Sequence, residues 1–354
     1  MAHYLDSEST LRCYDTKDVL ASVGGFPEQI LQAWEEVGAM KLPRWKPVTM
    51  SISGMGGSGL GPHILQTAFG SRVRVPIIIS NGYMLHGHVN EKTLVVSVSY
   101  SGNTEETIAA YKDGRMRGVK SFVITTGGAL GELASRDAVP LYRVKPRHNP
   151  CGQPRMGLGY PLGAMAALLH RFRLSNFITG EIVQAIEHGR RVWKRVQFET
   201  PFKENPAKQL AAHLENVMPV LIGTRFLGGA LHASSNMMHE NAKHFGLYHR
   251  LPEMNHHLLE ALSFPSKLER ILYGVFFDSS LVKPMVRQHG IITQDIFTKH
   301  GIPNEVVKLR GTDALSASLE MVMICAAASV YLAMLHRIDP SEIPWVDYFK
   351  KHLH

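Results

Sequence analysis

Cysteine is scarce in this chain of 354 residues: Cys13, Cys151 and Cys325 are odd in number and far apart. That excludes a disulfide framework and any CxxC metal or redox motif, and it suits a reducing compartment. Runs of five or six like charges are absent, although Lys and Arg outnumber Asp and Glu by 38 to 30, for a formal charge of +8. A scattered positive excess suits small anions and permits weak adhesion to nucleic acid without building a site for it, so no nucleic-acid partner is expected. Long apolar runs are lacking too. The stretch Leu319 to Leu335 is broken by Glu320, Ser329 and Tyr331, and reads as a buried helix rather than a membrane span. The N-terminus, Met1-Ala-His-Tyr-Leu-Asp-Ser-Glu8, has neither the basic nor the apolar region of a signal peptide. A cytoplasmic protein is therefore expected. Histidine is plentiful, yet His239, His244, His249, His256 and His257 lack HExxH or comparable spacing, and no metal is expected.

What is present is an alternation of apolar strands, short loops and helical patterns long enough for two domains. We divide the chain into an N-terminal helical arm (1–45), a first α/β domain (46–198), a second (199–338) and a C-terminal helical tail (339–354). Strands are expected at Val48–Ser53, Val75–Ser80, the run from Val95, Ser121–Thr125 and Leu141–Val144. In the second half they are expected at Met218–Gly223, Ile271–Phe277 and Glu305–Leu309, with helices between. The fold class is α/β with two doubly wound parallel sheets.

Val95-Val-Ser-Val-Ser-Tyr-Ser-Gly-Asn-Thr-Glu-Glu-Thr107 carries the most chemistry. A β-branched run ends in hydroxyls around one glycine and then enters a helix. Free N–H groups and the positive end of the helix dipole attract an anion, to which Ser99, Ser101 and Thr104 add hydroxyl donors. A phosphate monoester fits. On the residues alone, Ser101 or Thr104 also reads as a plain helix N-cap. Gly54-Met-Gly-Gly-Ser-Gly59 matches GxGxxG, but the following strand ends in Ser80-Asn-Gly-Tyr83 without the acid that a dinucleotide's ribose needs. No dinucleotide cofactor is expected. If the first and third strands are neighbours, Gly56, Gly57 and Ser58 face Ser99, Ser101 and Thr104 across one crevice. By spacing alone, Arg155 reads as a surface arginine or a helix-side salt bridge, and Glu240 as a solvated or salt-bridged glutamate.

The motifs Gly54-Met-Gly-Gly-Ser-Gly59, Ser99-Tyr-Ser-Gly-Asn-Thr-Glu-Glu106, Gln153-Pro-Arg-Met-Gly-Leu-Gly-Tyr160, Asn205-Pro-Ala-Lys208, Glu240-Asn-Ala-Lys243 and Pro252-Glu-Met-Asn-His256 occur in that order. In this the chain resembles the bifunctional phosphoglucose/phosphomannose isomerases, a branch of the phosphoglucose isomerase superfamily built from two sugar isomerase (SIS) domains. The resemblance implies a hexose 6-phosphate substrate, no cofactor, and interconversion of fructose 6-phosphate with glucose 6-phosphate or mannose 6-phosphate. It implies phosphate contacts from Gly56, Gly57, Ser58, Ser99, Ser101 and Thr104, with Glu240 as the proton-transferring base and Arg155 stabilising the enediolate. It implies ring opening by His256 and by a C-terminal lysine, Lys350 or otherwise Lys351. A homodimer is implied as well, in which His256 reaches the neighbouring subunit's site. A non-catalytic sugar-phosphate sensor and an aminosugar-phosphate isomerase or deaminase are the alternatives. One departure from the family pattern is Pro62, expected in a first helical turn, where proline is tolerated.

Overall fold

The structure, a computed structural model, describes residues 3–175 and 178–353. Three helices form the N-terminal arm: α1 (Glu8–Tyr14), α2 (Val19–Gly24) and α3 (Phe26–Gly38). The first domain then runs β1 (Thr49–Ser53), α4 (Gly57–Phe69), β2 (Ile77–Ser80), β3 (Thr93–Val98), α5 (Glu105–Met116), β4 (Lys120–Thr125), α6 (Gly128–Arg136) and β5 (Leu141–Arg143). Its five strands are all parallel, in the order β2-β1-β3-β4-β5. All six residues of β3 are buried, as expected of a central parallel strand covered on both faces. The order reverses between β1 and β3, so the loops leaving these two strands open into one crevice at the carboxyl edge of the sheet.

Two helices follow, α7 (Gly159–Arg171) and α8 (Ile178–Val196), and then α9 (Pro206–Leu214). Asn205 caps α9, its Oδ1 accepting from the N–H groups of Ala207 and Lys208, with Pro206 at the first helical position. The second sheet is built from β6 (Met218–Thr224), α10 (Gly228–Ala242), β7 (Leu247–Leu251), the short α11 (Leu258–Ala261), β8 (Leu272–Ser279), α12 (Pro284–Lys299) and β9 (Asn304–Leu309). Its order is β7-β6-β8-β9, again all parallel. The chain closes with α13 (Ala314–Leu335) and α14 (Pro344–Lys351).

The sequence reading contains no strand at β7. Only Leu251 of its five residues is buried, and His249 and Arg250 break the apolar pattern, because β7 pairs on one side only. Pro62 lies further into its helix than expected, as the sixth residue of α4 rather than in its first turn.

Helix α13 is long and apolar enough to span a membrane, but 94% of its most apolar window is buried inside the fold. Its one carboxylate, Glu320, is fully buried and held by His188 Nε2 (2.8 Å), Arg195 Nη1 (2.8 Å) and the backbone N–H groups of Arg310 and Gly311. Burial raises the pKa of Glu320, but these partners outweigh it and hold the carboxyl below its usual range. Around α13 pack α8, α9, α10 and α4, so one core serves both sheets.

Two close approaches fix the site. A Cβ on Gly229 of α10 would lie 2.4 Å from the backbone of His63, so only glycine lets α10 cross α4 at this separation. A Cβ on Gly57 would lie 2.6 Å from the backbone of Arg155, so the same logic seats the Pro154–Gly157 turn against the first residues of α4. The start of α4, the Arg155 turn and the end of α10 therefore meet.

Candidate active site

A cavity of about 730 Å³ opens where these elements converge. Gly56, Gly57, Ser58, Ser101, Thr104, Arg155, Glu240 and Lys350 all line it. On the first-domain side, the hydroxyl of Ser58 accepts from the Tyr100 N–H at 3.0 Å, which ties the α4 loop to the β3 loop. Gly102 takes φ +75° at the turn, and a Cβ there would collide with the Gly127 carbonyl. Thr104 stands at the N-cap position of α5, but its side chain makes no capping hydrogen bond among the described residues. Its Oγ1 instead meets Ser99 Oγ at 2.9 Å. The helix therefore leaves its first N–H groups and the Thr104 hydroxyl facing the cavity, an arrangement that attracts anions. Ser99 is buried under the loop, where its Oγ also accepts from the Gly102 N–H at 3.1 Å, and it shapes the turn without lining the cavity.

Arg155 is only 1% exposed, unlike the surface arginine that its spacing suggests. Its Nε donates to Asn241 Oδ1 at 2.6 Å. Its Nη2 donates to the carbonyls of Pro340 (2.8 Å) and Ser341 (3.2 Å), and its Nη1 to Gln153 Oε1 at 3.1 Å. Nη1 also lies 3.5 Å from Glu240 Oε2. Two segments distant in sequence, at 240–241 and 340–341, together with the neighbouring Gln153 thus hold one guanidinium, with an edge toward the carboxylate. Asn241 is fixed in turn by donating to Ser329 Oγ at 2.9 Å.

Glu240, partly buried near the end of α10, has its pKa raised by burial, against the pull of Arg155 and then of Lys350. Arg155 is shifted down by burial, against the pull of Glu240. Lys243, at φ +51° where α10 ends, donates to the carbonyls of Asn241 (3.2 Å) and Asp339 (2.6 Å). Desolvation, and after it the charge of Arg155, brings its ammonium down to about 8. The result is one carboxylate of enhanced basicity beside a fixed cation, in the wall of the cavity that the hydroxyl loops also line. This arrangement can move a proton and stabilise an oxyanion.

The remaining predicted residues fall elsewhere. His256 is exposed on the Glu253–His256 turn after β7 and is not among the cavity's lining residues. Lys351, the second C-terminal candidate, does not line it either. Among the described residues, no three His, Cys, Asp or Glu side chains converge in a way that could hold a metal ion. Sequence reasoning gave no role to Asn241, Gln153 or Lys17. Asn241 and Gln153 sit inside quoted motifs, which is a usable signal, whereas Lys17 reaches the cavity by pairing with Glu342 at 2.7 Å and has none. The carbonyls of Pro340 and Ser341 are invisible to any side-chain pattern.

Residues 203–353 match the family described as bacterial phospho-glucose isomerase C-terminal SIS domain. The bifunctional phosphoglucose/phosphomannose isomerase of Caldicellulosiruptor bescii is 29% identical over 346 residues, covering 94% of this chain and 98% of that protein. The enzyme of the same name from Aquifex aeolicus is 28% identical over 339 residues, covering 95% and 98%. The chain is thus similar over nearly its whole length to bifunctional phosphoglucose/phosphomannose isomerases. Among solved structures, a hypothetical protein of Thermus thermophilus superposes with a TM-score of 0.72 at 16% identity, covering 97% of this chain and 91% of that one. At that identity the likeness speaks for the fold alone. The second sheet falls within the residues that match the SIS-domain family, and the cavity lies at the carboxyl edge of the first sheet.

Proposed function

We propose that this protein interconverts fructose 6-phosphate with glucose 6-phosphate and mannose 6-phosphate through an enediolate, as a soluble cytoplasmic enzyme. The observation that carries this reading is the lining of one cavity by two groups: Ser58, Ser101 and Thr104 at or beside two helix N-termini, and the Glu240–Arg155 pair.

The dianionic ester is held by the hydroxyls of Ser58, Ser101 and Thr104 and by the positive ends of the α4 and α5 dipoles. That anchor is remote from the reacting carbons, so its binding energy orients C1 and C2 toward Glu240. Lys350 assists ring opening from the cavity wall, and His256 does so from the neighbouring subunit of a homodimer. Its exposure outside its own cavity fits donation in trans. Glu240 removes the proton from one carbon and returns it to the other, work worth on the order of 10²- to 10⁴-fold in rate. Arg155 faces the oxyanion that develops between the two transfers, and its bonds to Asn241, Pro340 and Ser341 mean that it need not reorganise as charge appears.

Purified protein incubated with fructose 6-phosphate should yield glucose 6-phosphate and mannose 6-phosphate without added cofactor. A parallel incubation with ammonia, followed for glucosamine 6-phosphate, tests the aminosugar alternative. No product from any incubation would leave a sugar-phosphate sensor.

A further inference from the structure

Five carboxylates, those of Glu105, Glu106, Glu240, Glu342 and Asp347, line the active-site cavity against three cations, Lys17, Arg155 and Lys350. For a cavity that takes a dianionic ester this is an excess of the wrong sign, and four of the five have a reason to be there. Glu240 serves as the proton-transferring base. Glu105 and Glu106 stand in the first turn of α5 and Asp347 in that of α14, where the helix dipole favours an acid. Glu342 lies in neither a helix nor a strand and has no such reason.

Glu342 is held from two sides. The peptide that carries its N–H is the one whose carbonyl, that of fully buried Ser341, accepts from Arg155 Nη2 at 3.2 Å. Its Oε1 accepts from Lys17 Nζ at 2.7 Å. Lys17 belongs to the N-terminal arm, between α1 and α2, and its neighbour Thr16 donates to Asp339 Oδ2 at 2.5 Å, so the arm is already tied to this segment. The Lys17–Glu342 pair is half-exposed, and an ion pair of that kind adds little to such a tie. What the pair does present to the cavity is unused capacity. Among the described residues Glu342 Oε2 accepts no hydrogen bond, and Lys17 Nζ donates none beyond the one to Oε1. A sugar hydroxyl donates one hydrogen bond and accepts others, so a carboxylate oxygen and an ammonium side by side match it.

We propose that Lys17 and Glu342 recognise hydroxyl groups of the sugar chain, which makes the N-terminal arm part of the active site. The proposal takes its ligand from the hexose phosphate reading and assigns the pair to binding, not to proton transfer. Charge gives the test its sign. Loss of a carboxylate from this cavity should by Coulomb's law tighten the grip on any phosphate ester, so weaker binding without Glu342 requires a lost contact.

Glucitol 6-phosphate is an open-chain polyol ester without a carbonyl. It cannot be isomerised, so its binding reports on the pair whether or not fructose 6-phosphate is turned over. Hexyl phosphate carries the same ester on six carbons with no hydroxyl. In calorimetry on the full chain, Glu342→Ala should bind glucitol 6-phosphate about tenfold more weakly than the parent does, the worth of one hydrogen bond to a charged group, and hexyl phosphate no more weakly. Lys17→Met should lose more affinity for glucitol 6-phosphate than for hexyl phosphate, which registers only the missing charge. Retained hexyl phosphate binding shows that the phosphate loops of each variant are intact. Unchanged or tighter binding of glucitol 6-phosphate to Glu342→Ala would overturn the proposal and leave the pair a surface tie. An equal loss for both esters would overturn it too, since hydroxyl recognition cannot act on hexyl phosphate. Failure of the parent to bind either ester would overturn the hexose phosphate reading and the proposal with it, so the two failures are told apart.

Discussion

Asn241→Ala tests whether the catalytic pair depends on a side chain that touches no substrate. Asn241 is fully buried, accepts from Arg155 Nε at 2.6 Å and donates to Ser329 Oγ at 2.9 Å. A hydrogen bond to a charged group contributes about 1.5 to 3 kcal/mol, and truncation leaves a buried Nε–H unpaired in addition. Ser329 keeps its own bond to the Ala326 carbonyl, so the loss falls mainly on Arg155. The expected destabilisation is about 2 to 4 kcal/mol, read as a lower urea midpoint at an unchanged slope. The guanidinium keeps its bonds to Pro340 and Ser341 but is free to turn about them, and a shift of about 1 Å near the reacting atoms costs on the order of 10²-fold in rate. The fall should therefore appear in kcat for fructose 6-phosphate, with KM little changed, because the phosphate loops belong to other elements. Asn241→Ala with kcat within twofold of the parent would refute this reasoning, whatever its stability.

Three further outcomes follow from the same geometry. Lys350→Ala removes a positive charge that favours ionised Glu240, so the acidic limb of kcat/KM should move to higher pH; a limb that stays put or moves down would count against Lys350 facing the base. Ser101→Ala should raise KM for fructose 6-phosphate about tenfold with kcat nearly preserved, since it removes a contact made equally in ground and transition states; a fall in kcat alone would place Ser101 elsewhere. Lys208→Met should destabilise by about 3 to 5 kcal/mol, because the buried ammonium holds Asp6 (2.8 Å) and the carbonyls of Phe198 (2.7 Å) and Thr200 (2.9 Å); a loss below about 1 kcal/mol in urea unfolding would show that Asp6 and the carbonyls find water instead.

Much of the fold was legible in the sequence because central parallel strands are buried on both faces and read as nearly continuous apolar runs, as β3 and β6 do. The edge strand β7 escaped for the opposite reason, its exposed Leu247 and Arg250 and half-buried His249 leaving no apolar run. In the site, the hydroxyl loop was visible as a local string. The depth of Arg155 was not, because it is set by main-chain carbonyls and by an asparagine far away in the chain. The position of His256 outside the cavity of its own chain depends on how the β7 turn projects, which periodicity does not encode.

The central claim is that Glu240 carries the proton between C1 and C2. Glu240→Gln keeps the shape of the side chain and its place beside Arg155 while removing the base. Incubated with fructose 6-phosphate in deuterium oxide, the variant should still bind the sugar phosphate but lose turnover by about 10²-fold or more and take up correspondingly little deuterium at C1, as loss of a general base requires. Near-normal isomerisation, or deuterium incorporation at the parent rate, would contradict the assignment.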